Sequence, residues 1–150
     1  MLTESARMST AAEARFRVQA ANFKPRAIKV VALDGPSESV VRRLAKASWS
    51  QAAFFTASPS AGTSDVMNEL DTADLIVMVA TPGAEMHAAS MIGEACSLKR
   101  VMTTTLIVGA AAASDEALSK TLAEVRPWSG MVVIADAADY IDDLLTALRA

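Results

Sequence analysis

Acid–base chemistry near neutral pH needs a group that changes charge there, and the one histidine among these 150 residues, His87, is such a group. A general base also needs an orienting partner, and Asp34 and Glu85 are the carboxylates placed to serve. These three residues are the candidate catalytic set. Small and hydroxyl-bearing residues follow several apolar runs: Asp34, Gly35, Ser37 and Ser39 after one, Thr81 and Gly83 after another, Gly109 and Ser114 after a third. Such positions open helices, whose first N–H groups lack intrahelical partners and donate readily to an anion or a polar ligand. They form the candidate ligand-binding set, for a nucleotide-like compound or an organic acid. Each residue also has a plain structural use. Asp34, Thr81 and Ser114 suit helix caps, and His87 suits an exposed helical turn. Asp34 and Glu38 together also repel phosphate.

The elements that must hold these residues are legible from the apolar pattern. Residues 28–33, 74–80, 103–108 and 131–135 are short, β-branched runs that end in turn residues, and Ala52-Ala-Phe-Phe-Thr56 is a shorter one suited to an edge. Runs apolar on both faces fit strands covered from both sides, as in a parallel α/β sheet. Helical spacing follows each run. Pro36 opens a helix to about Ser48 with Val40, Val41, Leu44 and Ala45 on its apolar side. A short helix spans 64–70. Thr81 and Pro82 suit the cap and first residue of a helix to about Leu98, with His87 in its early turns. Ser114 caps the next helix, Pro127 ends it, and a last helix starting at Asp136 or Asp139 carries Ile141, Leu144, Leu145 and Leu148. The expected fold is α/β, a three-layer doubly wound sheet of five parallel strands. The flavodoxin-like order 2-1-3-4-5 is preferred to the Rossmann-like order 3-2-1-4-5, because it needs no sixth strand. Either order puts a working crevice beyond the carboxyl ends of strands 1 and 3.

The segment Val30-Val-Ala-Leu-Asp-Gly-Pro-Ser-Glu-Ser-Val-Val-Arg-Arg-Leu44 locally resembles the phosphate-loop strand and helix of small nucleotide kinases. It departs from them where a second glycine, a lysine and a hydroxyl residue should stand, at Val40, Val41 and Arg42. The stretch Ala73 to Ala80 resembles the tubulin-like division GTPases, but Thr81-Pro82-Gly83-Ala84-Glu85 replaces their glycine- and threonine-rich loop. No Gly-x-Gly-x-x-Gly follows the first strand, as a dinucleotide-binding domain requires. No family and no cofactor follow from these residues.

Composition narrows the classes further. A net charge of −3 argues against a nucleic-acid partner, which would draw on a basic face. Hydrophobic residues make up 52% of the chain, yet no segment approaches the roughly 18 uninterrupted apolar residues of a membrane span. One cysteine, Cys96, excludes an internal disulfide and, with one histidine, a Cys/His zinc set. The expected location is the cytoplasm.

Residues 1–26 differ from the rest: they carry a net +3, leaving −6 on residues 27–150. Phe16, Ala20 and Phe23 share one helical face. We read 1–26 as a helical arm and 27–150 as a single α/β domain. Trp49 and Trp128 both lie in helix-to-strand connections, hence on the amino-end rim, where they suit a hydrophobic plug or a subunit contact. The arm or that rim would support a homo-oligomer. Two functions follow as expectations: a non-catalytic binding or assembly module, or an enzyme that binds a small ligand in the crevice.

Overall fold

The computed structural model describes residues 27–49, 51–57, 63–84, 87–135 and 138–148. The N-terminal arm with Phe16 and Phe23, the candidate Glu85, and Asp136 lie outside the described residues.

Five strands, β1 (Ile28–Ala32), β2 (Ala52–Thr56), β3 (Leu75–Ala80), β4 (Met102–Val108) and β5 (Met131–Ala135), form one sheet in the order 2-1-3-4-5. Every pairing is parallel. The fold is therefore the doubly wound α/β arrangement with the flavodoxin-like strand order. The most apolar run, β3, lies at the centre with all six residues buried. Each large aliphatic side chain so placed contributes about 1.5–3 kcal/mol relative to exposure. This accounts for a run that is apolar on both faces.

Helices cover both faces. On one, α1 (Gly35–Ala45) and α5 (Ala138–Ala147) close over Val30, Val77 and Leu106 with Val41, Leu44, Ile141 and Leu145. On the other, α2 (Ser64–Asn68), α3 (Ala88–Lys99) and α4 (Asp115–Val125) close over Val31, Ile76, Met78 and Ile107 with Val66, Ile92, Cys96 and Val125. Single turns of 3₁₀ helix at Leu70–Thr72, Ala110–Ala112 and Arg126–Trp128 complete the connections. Because β1 leads to one side of the sheet and β3 to the other, their carboxyl ends mark the switch point.

Two helix boundaries differ from the sequence reading, each for a local reason. The helix after β3 begins at Ala88 with His87 at its cap position, not at Thr81. The Thr81 amide is drawn instead onto the Asp34 carboxylate at 2.8 Å, and Gly83 takes a left-handed φ of 83°. Thr81–Ala84 therefore makes a turn, closed by the Ala84 N–H on the Thr81 carbonyl. In α1, Gly35 occupies the first position and Pro36 the second, where a missing N–H is equally harmless. That helix ends at Ala45, and Trp49 folds back to donate to the Leu44 carbonyl at 2.7 Å.

Candidate functional site

Asp34 lies two residues beyond β1 in extended backbone and is 2% exposed. Its Oδ1 accepts from the Ser37 amide at 2.8 Å and the Ser37 hydroxyl at 2.7 Å, while Oδ2 accepts from the Thr81 amide at 2.8 Å. The carboxylate thus caps α1 and, with its other oxygen, ties β1 to the end of β3. Ser37 Oγ and Thr81 Oγ1 lie 3.2 Å apart and close the cluster. Three bonds to one charged acceptor in a buried setting form a strong lock, since each exceeds a neutral hydrogen bond in strength.

The loop after β3 is held from its other side too. The Gly83 amide donates to Thr121 Oγ1 on α4 at 2.9 Å, and a Cβ added at Gly83 would sit 3.3 Å from Ala117. Glycine serves both the left-handed backbone and the close approach. Thr121 is buried, one of few polar residues in the core. Its position is legible in principle, because it interrupts the apolar stripe of Leu118, Leu122 and Val125 on α4.

The remaining candidates sit around this lock. Ser39 turns its hydroxyl onto the Pro36 carbonyl at 2.9 Å, and Gly35 lies open, with nothing within 4 Å of where a Cβ would stand. Gly109 takes φ 74° beside Thr81, and Ser114 caps α4 by accepting from the Ala117 amide at 3.1 Å. The structure therefore brings Asp34, Ser37 and Thr81 together, with Gly83 and Gly109 flanking Thr81. Ser114 caps a separate helix. Among the described residues, no buried side-chain nitrogen or oxygen lacks a hydrogen-bond partner.

His87 belongs to a different surface. The donors seen on Asp34 are Ser37 and Thr81. It borders an open groove of about 390 Å³ between α3 and α4, together with Ser90, Lys120, Glu124 and the indole of Trp128. Trp128 is wedged against Gly93 so closely that a Cβ there would stand 2.9 Å from Trp128 Cγ. On its far side a second groove of about 360 Å³ runs past Cys96, Ser129 and Gly130. Sequence alone does not single out Lys120 and Glu124, since charges on the outer side of a helix carry no signal of a groove. Cys96 is buried at 1% exposure, and desolvation pushes its thiol up to about 11, which disfavours the nucleophilic thiolate. Both tryptophans act as apolar plugs, Trp128 beneath α3 and Trp49 beside Phe54 at a centroid distance of 6.4 Å.

No family model and no curated protein matches the chain. Among solved structures, the translation elongation factor SelB from Methanococcus maripaludis in its apo form aligns at 11% identity with a TM-score of 0.47. That alignment covers 81% of this chain and 33% of the factor, so the chain spans about a third of that protein's length. Among the described residues, no helix is long and apolar enough to cross a membrane.

Proposed function

We propose that this chain is a non-catalytic binding or assembly module in which the carboxyl-end crevice serves as a structural lock. One observation carries the reading: both Asp34 oxygens are engaged by Ser37 and Thr81. A metal or substrate that took over that carboxylate would leave the Ser37 and Thr81 amides without their charged acceptor, at a cost of about 1–3 kcal/mol each. The amides of Ser37, Thr81 and Gly83, which a ligand would use, are taken up by Asp34 and Thr121. The reading places the protein in the cytoplasm, in keeping with its single buried thiol. It also allows a homo-oligomer.

The competing reading is an enzyme whose small ligand meets Asp34 to Ser39, Thr81 to His87 and Gly109 to Ser114. A thermal-shift panel of nucleotides, flavins and organic acids separates the two. A ligand at a hundred times its Kd stabilises a protein by about 2.7 kcal/mol. We expect no compound of the panel to move the transition. A compound that raises it in the wild type and not in Gly35→Asp, which places a carboxylate in the open space above α1, overturns the reading of the crevice as a structural lock.

A further inference from the structure

The outermost strand β5 pairs with β4 on one side, and among the described residues no strand pairs with its other side. An edge of this kind presents a row of backbone N–H and C=O groups that template a further strand. Monomeric proteins blunt such edges with lysine, proline or a bulge. The sequence Met131-Val-Val-Ile-Ala135 carries none of these residues and no charge. Its side chains are also poorly covered: Met131 and Ile134 are each 44% exposed. They lie on opposite faces of the sheet, since Met131 shares its parity with Val133 in the α1/α5 core and Ile134 with Val132 in the α3/α4 core. A partner that lies along the edge covers both at once, whereas one that lies on a single face does not. The opposite edge differs, because every residue of β2 is half-buried.

We infer that β5 is the interface with a second copy of this chain, paired antiparallel about a two-fold axis at Val133. The inference rests on the assembly reading above and names its partner. A two-fold pairing is isologous, so one strand supplies both halves of the contact. In this register Val132 faces Ile134 of the partner subunit and Met131 faces Ala135 of the partner subunit. Both exposed side chains thereby gain apolar cross-strand neighbours, and no like charges are opposed within the strands. The two sheets become one of ten strands.

Sedimentation velocity over a range from micromolar to several hundred micromolar, on the full chain, tests this. Twice the mass of one chain is expected at the upper end, returning to a single mass in Ile134→Lys with an unchanged circular-dichroism spectrum. Val133 lies on the axis, and antiparallel neighbours stand about 4.5–5.5 Å apart at Cα, within reach of a disulfide. Val133→Cys in a Cys96→Ser background should therefore form a covalent dimer on mild oxidation, while Ala53→Cys on β2 should not. A wild type that is monomeric throughout overturns the pairing, as does a dimer that survives Ile134→Lys and forms no Val133→Cys crosslink. A monomer that ignores every compound of the ligand panel leaves the non-catalytic reading standing. A β5 dimer that also binds a panel compound in the crevice keeps the pairing and removes the structural-lock reading of the crevice.

Discussion

The two ends of the sheet are closed by opposite chemistry. At the carboxyl end, a buried carboxylate gathers Ser37 and Thr81, and Thr121 holds Gly83, so closure is made by directed hydrogen bonds. At the amino end, Trp49 and Trp128 fill the gaps by shape, and the polar ties beside them are neutral ones: Trp49 Nε1 on the Leu44 carbonyl at 2.7 Å, Thr103 Oγ1 on the Trp128 carbonyl at 2.8 Å, and Ser129 Oγ at 2.6 Å from Thr105 Oγ1. The difference appears along single rows of residues. Ile28, Leu75 and Met102 stand side by side on adjacent strands, with exposures of 0%, 2% and 64%. One step further on, Val30, Val77, Thr104 and Met131 run 0%, 0%, 4% and 44%. The apolar surface left uncovered thus lies toward the β4 and β5 side, while the polar groups at the switch point are satisfied within the chain. In this fold the carboxyl end is where ligands are ordinarily held; here it is closed on a buried carboxylate.

The sharpest test of that contrast is removal of the carboxylate. In Asp34→Ala the buried Ser37 amide and the half-buried Thr81 amide lose a charged acceptor, and α1 loses its cap. Unmade bonds of this kind cost about 1–3 kcal/mol each, the Ser37 bond being the lost cap itself, for a total of about 2–6 kcal/mol. Urea denaturation followed by circular dichroism measures it. A loss under 1 kcal/mol would show that water replaces the carboxylate freely, and the crevice would then be open to ligands after all.

Much of this contrast is readable from the residues alone, though unevenly. The observed strand order is the one preferred because five runs leave no sixth strand, the sequence leaving the Rossmann-like order open, and both tryptophan positions follow from where helix-to-strand connections must lie. Asp34 before Gly35 and Pro36 announces a cap. What sequence does not show is that its second oxygen crosses to Thr81, because that bond joins residues 47 positions apart and depends on β1 and β3 being neighbours. The same bond pulls Thr81 out of its expected helix and leaves His87 to begin α3 beside Lys120 and Glu124. Gly93 is silent in the sequence for a similar reason: its missing side chain matters only once Trp128 lies against it.

The amino end can be challenged through that wedge. Gly93→Ala places a methyl group within 3 Å of Trp128 Cγ, and Trp128 is backed by the core around Val125 and Ile92. The ring must shift, since α3 also packs on the sheet through Ile92 and Cys96. Overpacking of this order costs about 1–3 kcal/mol, and this outweighs the gain in helix propensity of up to about 1 kcal/mol. The expected net loss is smaller than for Asp34→Ala, with a shift in tryptophan fluorescence as the wedge loosens. A stabilised variant with unchanged fluorescence would mean that Trp128 has room to move and that the amino end is not closed by shape.

The smallest effect is expected at Met102, and its smallness is what the comparison requires. Met102 begins β4 in the same row as the fully buried Ile28, yet it is 64% exposed. Little apolar area is lost when its side chain is shortened, and no hydrogen bond depends on it. Met102→Ser should therefore change stability by no more than about 0.5 kcal/mol, the usual range for surface substitutions. The same denaturation experiment reads it against Asp34→Ala, with the slope on urea as an internal control on cooperativity. A loss of about 2 kcal/mol or more, of the kind that follows removal of a buried methionine, would show that another part of the chain or a second copy covers this corner. A loss that grows with protein concentration would assign the cover to a second copy and extend the β5 contact to the start of β4. A loss independent of concentration would assign it to the chain itself.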